Sequence, residues 1–270
     1  MVNPCIGIAL VWGIFATLVA GLFALRKRTQ LHPEVVRKCL HIGMGLVTLS
    51  FPWIFTATWP VMLLTVGFTF ALLLRKLYPV AWDPLRPLLD QVGRTSHGEI
   101  YFALSVGIVF VCAQGNAVLF YIPFLLLTFA DSAAALVGTH HGRHRYSATR
   151  GAKSLEGSLA CFTVAFVCVW VSLFGRPYSS PREILVLSLA AALLATVLEV
   201  FGKHGLDNLL VPLGTFLLLN SALNPGGMTL VTNGPAALAM IIGLVCHLVP
   251  ECGIHPAWFS LHERNGRPRP

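Results

Sequence analysis

The sequence predicts an all-α, polytopic integral membrane protein of about nine transmembrane helices, and three observations lead to that prediction. Apolar residues make up 56% of the 270-residue chain and charged residues only 11%, more hydrophobic surface than a soluble domain of this length could hide. Long uncharged runs recur from end to end and approach the roughly 20 residues a helix needs to cross the hydrocarbon core. Arg and Lys alternate between abundant and nearly absent from one connection to the next.

The elements follow in order. The first span, near 5–25, is the run Ile6 to Leu25, closed by Arg26, Lys27 and Arg28. A removable signal peptide carries its positive charge before a shorter apolar run, so this segment reads as a true span. The second, near 38–56, begins behind Glu34, Arg37, Lys38 and His41, and the third, near 59–74, contains the run Pro60 to Leu74. Glu99 heads the fourth, near 99–114, where a carboxylate also suits the helix dipole. The fifth, near 117–138, carries Asp131 toward its end, and the sixth, near 155–174, starts directly after Ser154. The seventh, near 184–201, ends at Glu199; the eighth, near 206–223, opens with Asp207 and Asn208; the ninth, near 235–250, holds the run Ala236 to Val249. No strand is needed anywhere, no internal repeat is evident, and residues 1–270 read as one transmembrane domain. The polar, Pro-rich stretch 263–270 is expected to be a flexible tail.

With the N-terminus outside, every Arg and Lys except Arg176 and Arg182 falls on one side of the threading. The positive-inside rule makes that side cytoplasmic. The formal net charge of +8 is then explained by anionic headgroups and a nucleotide, with no nucleic acid required. The seven Cys lie mostly within apolar runs and have no metal-ligand spacing, so they read as buried small hydrophobes.

The same threading gathers the acidic and basic groups of the helix ends at the cytoplasmic interface, where a polar active site is expected. An unpaired carboxylate at Asp131 would be costly, so a cation or a Lys or Arg partner is expected, for catalysis or as a structural ion pair. In the loop 138–157, Gly138 and Gly142 permit close backbone approach and Arg143, Arg145, Arg150 and Lys153 supply cations. Ser154 opens a helix whose free N–H groups favour an anion. Together these describe a cytoplasmic polyphosphate cradle. It is not a Walker A loop, because Gly151-Ala-Lys-Ser lacks both a Gly directly before Lys and a preceding strand.

Asp131, Ala134, Gly138, Gly142, Lys153, Ser154, Glu156 and Gly157 resemble the nucleotide-binding motif of the polyprenol kinases, which include dolichol, phytol and farnesol kinases and the CTP-dependent diacylglycerol kinase. Ala152 departs from it, since many members carry a second Lys there. Glu34-x-x-Arg37-Lys38-x-x-His41 is similar to the family's N-terminal element. Glu199 followed by Asp207-Asn208-x-x-x-Pro212 is similar to its downstream element, and Gly98-Glu99-Ile100-Tyr101 looks like the phytol kinase side of the group. The resemblance implies transfer of the terminal phosphate of CTP, or another nucleoside triphosphate, to a lipid alcohol in the bilayer, with Mg2+ as cofactor.

The residues fit the physics of that reaction, which demands charge neutralisation and in-line positioning more than covalent chemistry. Asp131 is the first choice as a Mg2+ ligand, with Glu156, Asp207 and Glu199 as candidates to complete the site. Lys153 and Arg143 would contact phosphates, joined at the nucleotide by Gly138, Gly142, Ser154, Glu156, Gly157, Asp207 and Asn208. Arg37 and Lys38 could add phosphate contacts or simply mark a span boundary. His41 and Glu199 are the candidate acceptors of the alcohol proton; His41 could equally be a hydrogen-bonded structural group, and Glu199 could serve the metal or orient substrate. Glu99 is a candidate for substrate binding. A CTP:phosphatidate cytidylyltransferase is the nearest alternative, but its Lys-Asp and Pro-Gly-His-Gly-Gly elements are missing. A transporter would place ionisable groups at several depths and often in repeated halves.

Overall fold

The computed structural model describes residues 3–29, 33–78, 97–148, 151–174 and 180–224. Its helices are α1 (Pro4–Arg28), α2 (Pro33–Leu49), the single turn α3 (Phe51–Ile54), α4 (Trp59–Leu77), α5 (Gly98–Ala113), α6 (Ala117–His141), α7 (Leu155–Leu173), α8 (Pro181–Phe201) and α9 (Asp207–Leu223). The first eight expected spans each coincide with helix, and the expected ninth span and tail lie outside the described residues. Among the described residues, α1, α6, α7 and α8 are long and apolar enough to cross a membrane, while α4, α5 and α9 are shorter apolar helices. Ile6, Leu63, Val66, Phe70, Val171 and Leu193 all stay exposed on helix flanks. Such apolar side chains facing outward suit a lipid solvent and not water.

Two sequence expectations need correction. The second span, expected near 38–56, runs instead from Pro33 to Leu49 and breaks at Ser50, because Pro52 has no N–H to continue the ladder. The chain also contains strands: β1 (Arg145–Ala148) and β2 (Gly151–Ser154) form an antiparallel hairpin with Tyr146 opposite Lys153 and Arg145 opposite Ser154. The hairpin gives a polar connection internal backbone partners and ties itself to the next helix through the Leu155 N–H, which donates to the His144 carbonyl at 3.0 Å.

Helix α6 is the axis of the structure, packed by α2, α5, α7 and α9, with α8 closing against α7 and α9 and α1 lying outside on α2 and α4. Leu119, Phe120, Ile122, Phe124, Leu126 and Leu127 of α6 are all fully buried, so this helix is apolar around its whole circumference. It is not uniform. Pro123 removes one N–H, and residues Leu126–Ala130 then form a π turn in which the Asp131 N–H donates to the Leu126 carbonyl. One inserted residue rotates the following helix by about 100° relative to an unbroken α-helix.

Lys38, His41 and Gly45 recur at helical spacing on the face of α2 that meets α6. Lys38 reaches Asp131, His41 reaches Leu127, and Gly45 abuts Thr128. A Cβ on Gly45 would come within 2.6 Å of the Thr128 methyl carbon, so only glycine lets the two helices approach this closely. Gly45→Val is therefore expected to destabilise the protein by about 1–3 kcal/mol through overpacking, read as a lower thermal midpoint in detergent.

Candidate active site

Asp131 sits on the face of α6 that the π turn directs at α2. Its carboxylate is buried and accepts from the Lys38 ammonium at 2.5 Å, with His41 Nε2 3.4 Å from the same oxygen. Lys38 is itself only 2% exposed. It therefore does not snorkel to water as a topological cation would; it is the partner that the burial of Asp131 demands. Arg37, one residue earlier and half-buried, is within electrostatic reach of Asp131. His41 thus shares with Lys38 the face of α2 that meets Asp131.

A second buried pair lies across the interior. Lys153, at the end of β2, donates to Glu199 Oε1 near the C-terminus of α8, and lies 3.4 Å from the carbonyl of the same residue. Glu199 is buried, while about a third of the Lys153 side chain stays accessible. Burial works against the Lys153 charge, but the carboxylates of Glu199, Asp207 and Asp131 outweigh it and raise its pKa above the ordinary lysine value. Lys153 is therefore a cation throughout the physiological range.

Asp207, the first residue of α9, is brought back toward Glu199 by a tight bend. His204 (φ 52°) and Gly205 (φ 87°) take left-handed backbone there, and the His204 carbonyl accepts from the His97 N–H at 2.9 Å. Asn208 Nδ2 donates to the Gly98 carbonyl at 2.9 Å, so the Asp-Asn pair and the Gly98-Glu99 segment meet at the start of α5, with Glu99 half-buried in its first turn. Asp207 lies within electrostatic reach of Asp131, Glu199, Lys38 and Lys153. Its Oδ1 is buried without a hydrogen-bond partner. Three carboxylates thus share the interior with two ammonium groups.

A buried, unmatched carboxylate calls for a proton or a cation. Hard oxygen donors of this kind fit Mg2+, which is commonly held by one or two carboxylates plus phosphate oxygens and water. Among the described residues no three His, Cys, Asp or Glu side chains converge into a closed metal cluster. Asp207 and Asp131, within electrostatic reach of one another, are the carboxylates that could hold such a cation. Glu156 is turned away, toward the hairpin, where it accepts from the His144 N–H at 3.1 Å and meets His144 Nδ1 at 2.7 Å.

The glycines of the motif have a packing use. Ser154 caps α7 by accepting from the Gly157 N–H at 3.1 Å, and Gly138, Gly142 and Gly157 crowd around it. A Cβ on Gly157 would fall 2.8 Å from the Ala134 carbonyl oxygen and 3.2 Å from Gly138 Cα, so α6 and α7 cross with their backbones nearly touching. Arg143 and Arg145 are exposed around the hairpin. The sequence did not single out the π turn, the role of His144 in holding Glu156, or the His204–Gly205 bend. Pro123 and the Gly202-Lys-His-Gly205 run were the available signals.

Comparison with known proteins gives the same reading of the chain as its motifs. The family model described as the cytidylyltransferase family matches residues 1–203. Over 213 residues the chain is 34% identical to a phytol kinase of Synechocystis sp., an alignment that covers 76% of this chain and 88% of that protein. No solved structure matches it. Both sequence matches span most of the chain, which therefore belongs to the cytidylyltransferase family, in its polyprenol and phytol kinase branch.

Proposed function

We propose that the protein is a membrane-embedded lipid-alcohol kinase that transfers the terminal phosphate of CTP, or of another nucleoside triphosphate, to an isoprenoid alcohol such as phytol, farnesol, geranylgeraniol or dolichol. The observation that carries this reading is the shared interior of Lys38, Asp131, Lys153, Glu199 and Asp207, in which Asp207 Oδ1 is buried without a hydrogen-bond partner. Its support from relatives is the phytol kinase likeness.

In the mechanism we propose, Asp207 and Asp131 would hold Mg2+, which when bound would supply charge neutralisation at the transferring phosphate. Lys153, the more accessible of the two buried lysines, turns from Glu199 to the terminal phosphate, helped at the rim by Arg143. Its departure leaves Glu199 as a buried carboxylate without its counter-ion, and so a stronger proton acceptor. Glu199 takes the proton of the alcohol as its oxygen bonds to the terminal phosphorus and the bridging P–O bond of the nucleotide breaks. Lys38 stays with Asp131 and fixes its direction. Glu99 and Asn208, at the junction of α5 and α9, border the place for the acceptor head. The alcohol chain remains between helices in the bilayer, and the nucleotide comes from the cytoplasm.

The test uses purified protein with Mg2+, a panel of lipid alcohols, diacylglycerol and phosphatidate, and CTP labelled at either the γ- or the α-phosphate, with γ-labelled ATP alongside. Label in the lipid from the γ position alone is the expected result, and the panel names the alcohol. Label from the α position would make the protein a cytidylyltransferase. Transfer to diacylglycerol alone would move it to the diacylglycerol kinases, and no label from any donor would favour a transporter.

A further inference from the structure

We infer that His41 is a positioning residue that latches the π turn of α6, and with it Asp131, and does not accept the alcohol proton. The inference rests on the proposal that Asp131 belongs to the phosphoryl-transfer site. It starts from the backbone: the usual α-helical donor to the Leu127 carbonyl is the Asp131 N–H, four residues on, and the π turn gives that N–H to Leu126 instead. His41 Nε2 lies 2.9 Å from the Leu127 oxygen and supplies a donor from the neighbouring helix.

A carbonyl oxygen can only accept, so this contact places the hydrogen on Nε2. The same Nε2 lies 3.4 Å from the Asp131 carboxylate. The nitrogen turned toward the reacting region is therefore a donor with no lone pair to offer, whereas a general base must present one. The ring is held in place. Only 10% of the side chain is exposed, and Phe102 packs edge-on against it with centroids 5.8 Å apart.

The latch favours a π over an α turn here. Without His41, the buried Leu127 carbonyl loses this donor, and tightening of the turn would return the Asp131 N–H to it and swing Asp131 about 100° away from Lys38.

The discriminating variants are His41→Ala and His41→Gln, because a glutamine amide can place an N–H close to where Nε2 stands but cannot act as a base at neutral pH. The full chain in lipid nanodiscs is assayed with γ-labelled CTP and the alcohol found above. His41→Ala is expected to lower kcat by about 10²-fold with the KM for CTP changed less than about threefold, and His41→Gln to recover to within about fivefold of wild type. A second readout needs no turnover: NMR of histidine-labelled wild type, assigned by difference from His41→Gln, is expected to give the Nε2–H tautomer. A Gln variant as inactive as Ala, an Ala variant as active as wild type, or an Nδ1–H or imidazolium form would each overturn the inference. If wild type itself transfers no phosphate, the kinase proposal falls, and the tautomer alone decides whether the latch exists. Should the Ala variant fail to fold, the comparison of Gln with wild type still decides.

Discussion

Asp131→Ala is expected to lower label transfer by about 10³-fold and to cost the fold about 3–5 kcal/mol, two losses with separate causes. The catalytic loss follows from removing a carboxylate proposed to hold the cation at the phosphate. The stability loss comes from Lys38, which is 2% exposed and would be left as a buried ammonium without its partner. Replacing both members of the pair separates the effects. Lys38→Met combined with Asp131→Leu should restore thermal stability to near or above wild type, since apolar pairs of similar volume commonly replace buried ion pairs without cost. Turnover in that double variant should stay at the level of Asp131→Ala. Recovery of both activity and stability would mean that Asp131 serves packing alone.

The second large effect is expected at the other pair, where the two partners should fail in different ways. Lys153→Ala should reduce kcat/KM by about 10²–10³-fold through loss of charge at the terminal phosphate. It should also weaken nucleotide binding, measured by displacement of a fluorescent CTP analogue. Glu199→Gln should lower kcat by a comparable factor and leave nucleotide affinity equal to wild type or tighter, because Lys153 no longer has a competing carboxylate to leave. If Glu199→Gln weakened nucleotide binding as much as Lys153→Ala does, Glu199 would belong to the nucleotide site and not to acceptor activation.

Helix positions were legible because apolar runs of span length have few other uses, and the positions of α1 and α4 through α9 follow the runs within a few residues. The break at Ser50 was readable from Pro52 but was hidden inside an otherwise continuous apolar run. The hairpin was not readable, since four-residue strands are too short for alternation to declare itself and the glycines and arginines of the stretch describe a loop equally well. The members of the site were visible as charges that a membrane would penalise. Their pairing was not. Whether Asp131 meets Lys38 or Arg37 depends on the rotation of α2 and on one extra residue in a turn of α6, and Pro123, the local signal there, does not by itself specify a π turn. Glu156 shows the same limit: its place in the motif suggests a metal or nucleotide ligand, while its carboxylate is engaged by His144, twelve residues away in sequence.

The contact between Gly45 and Thr128 also sets terms for how this chain can vary by descent. Because the space for a side chain at position 45 is already filled by the one at position 128, the two positions share a single volume allowance across the α2–α6 seam. Homologues that enlarge one are expected to shrink the other, Ala or Ser at 45 appearing with Ala or Gly at 128, and the pair should covary more strongly than either does with its neighbours along the chain. Engineered swaps of the two residues should obey the same rule, each single change impairing assembly of the seam and the reciprocal change restoring it.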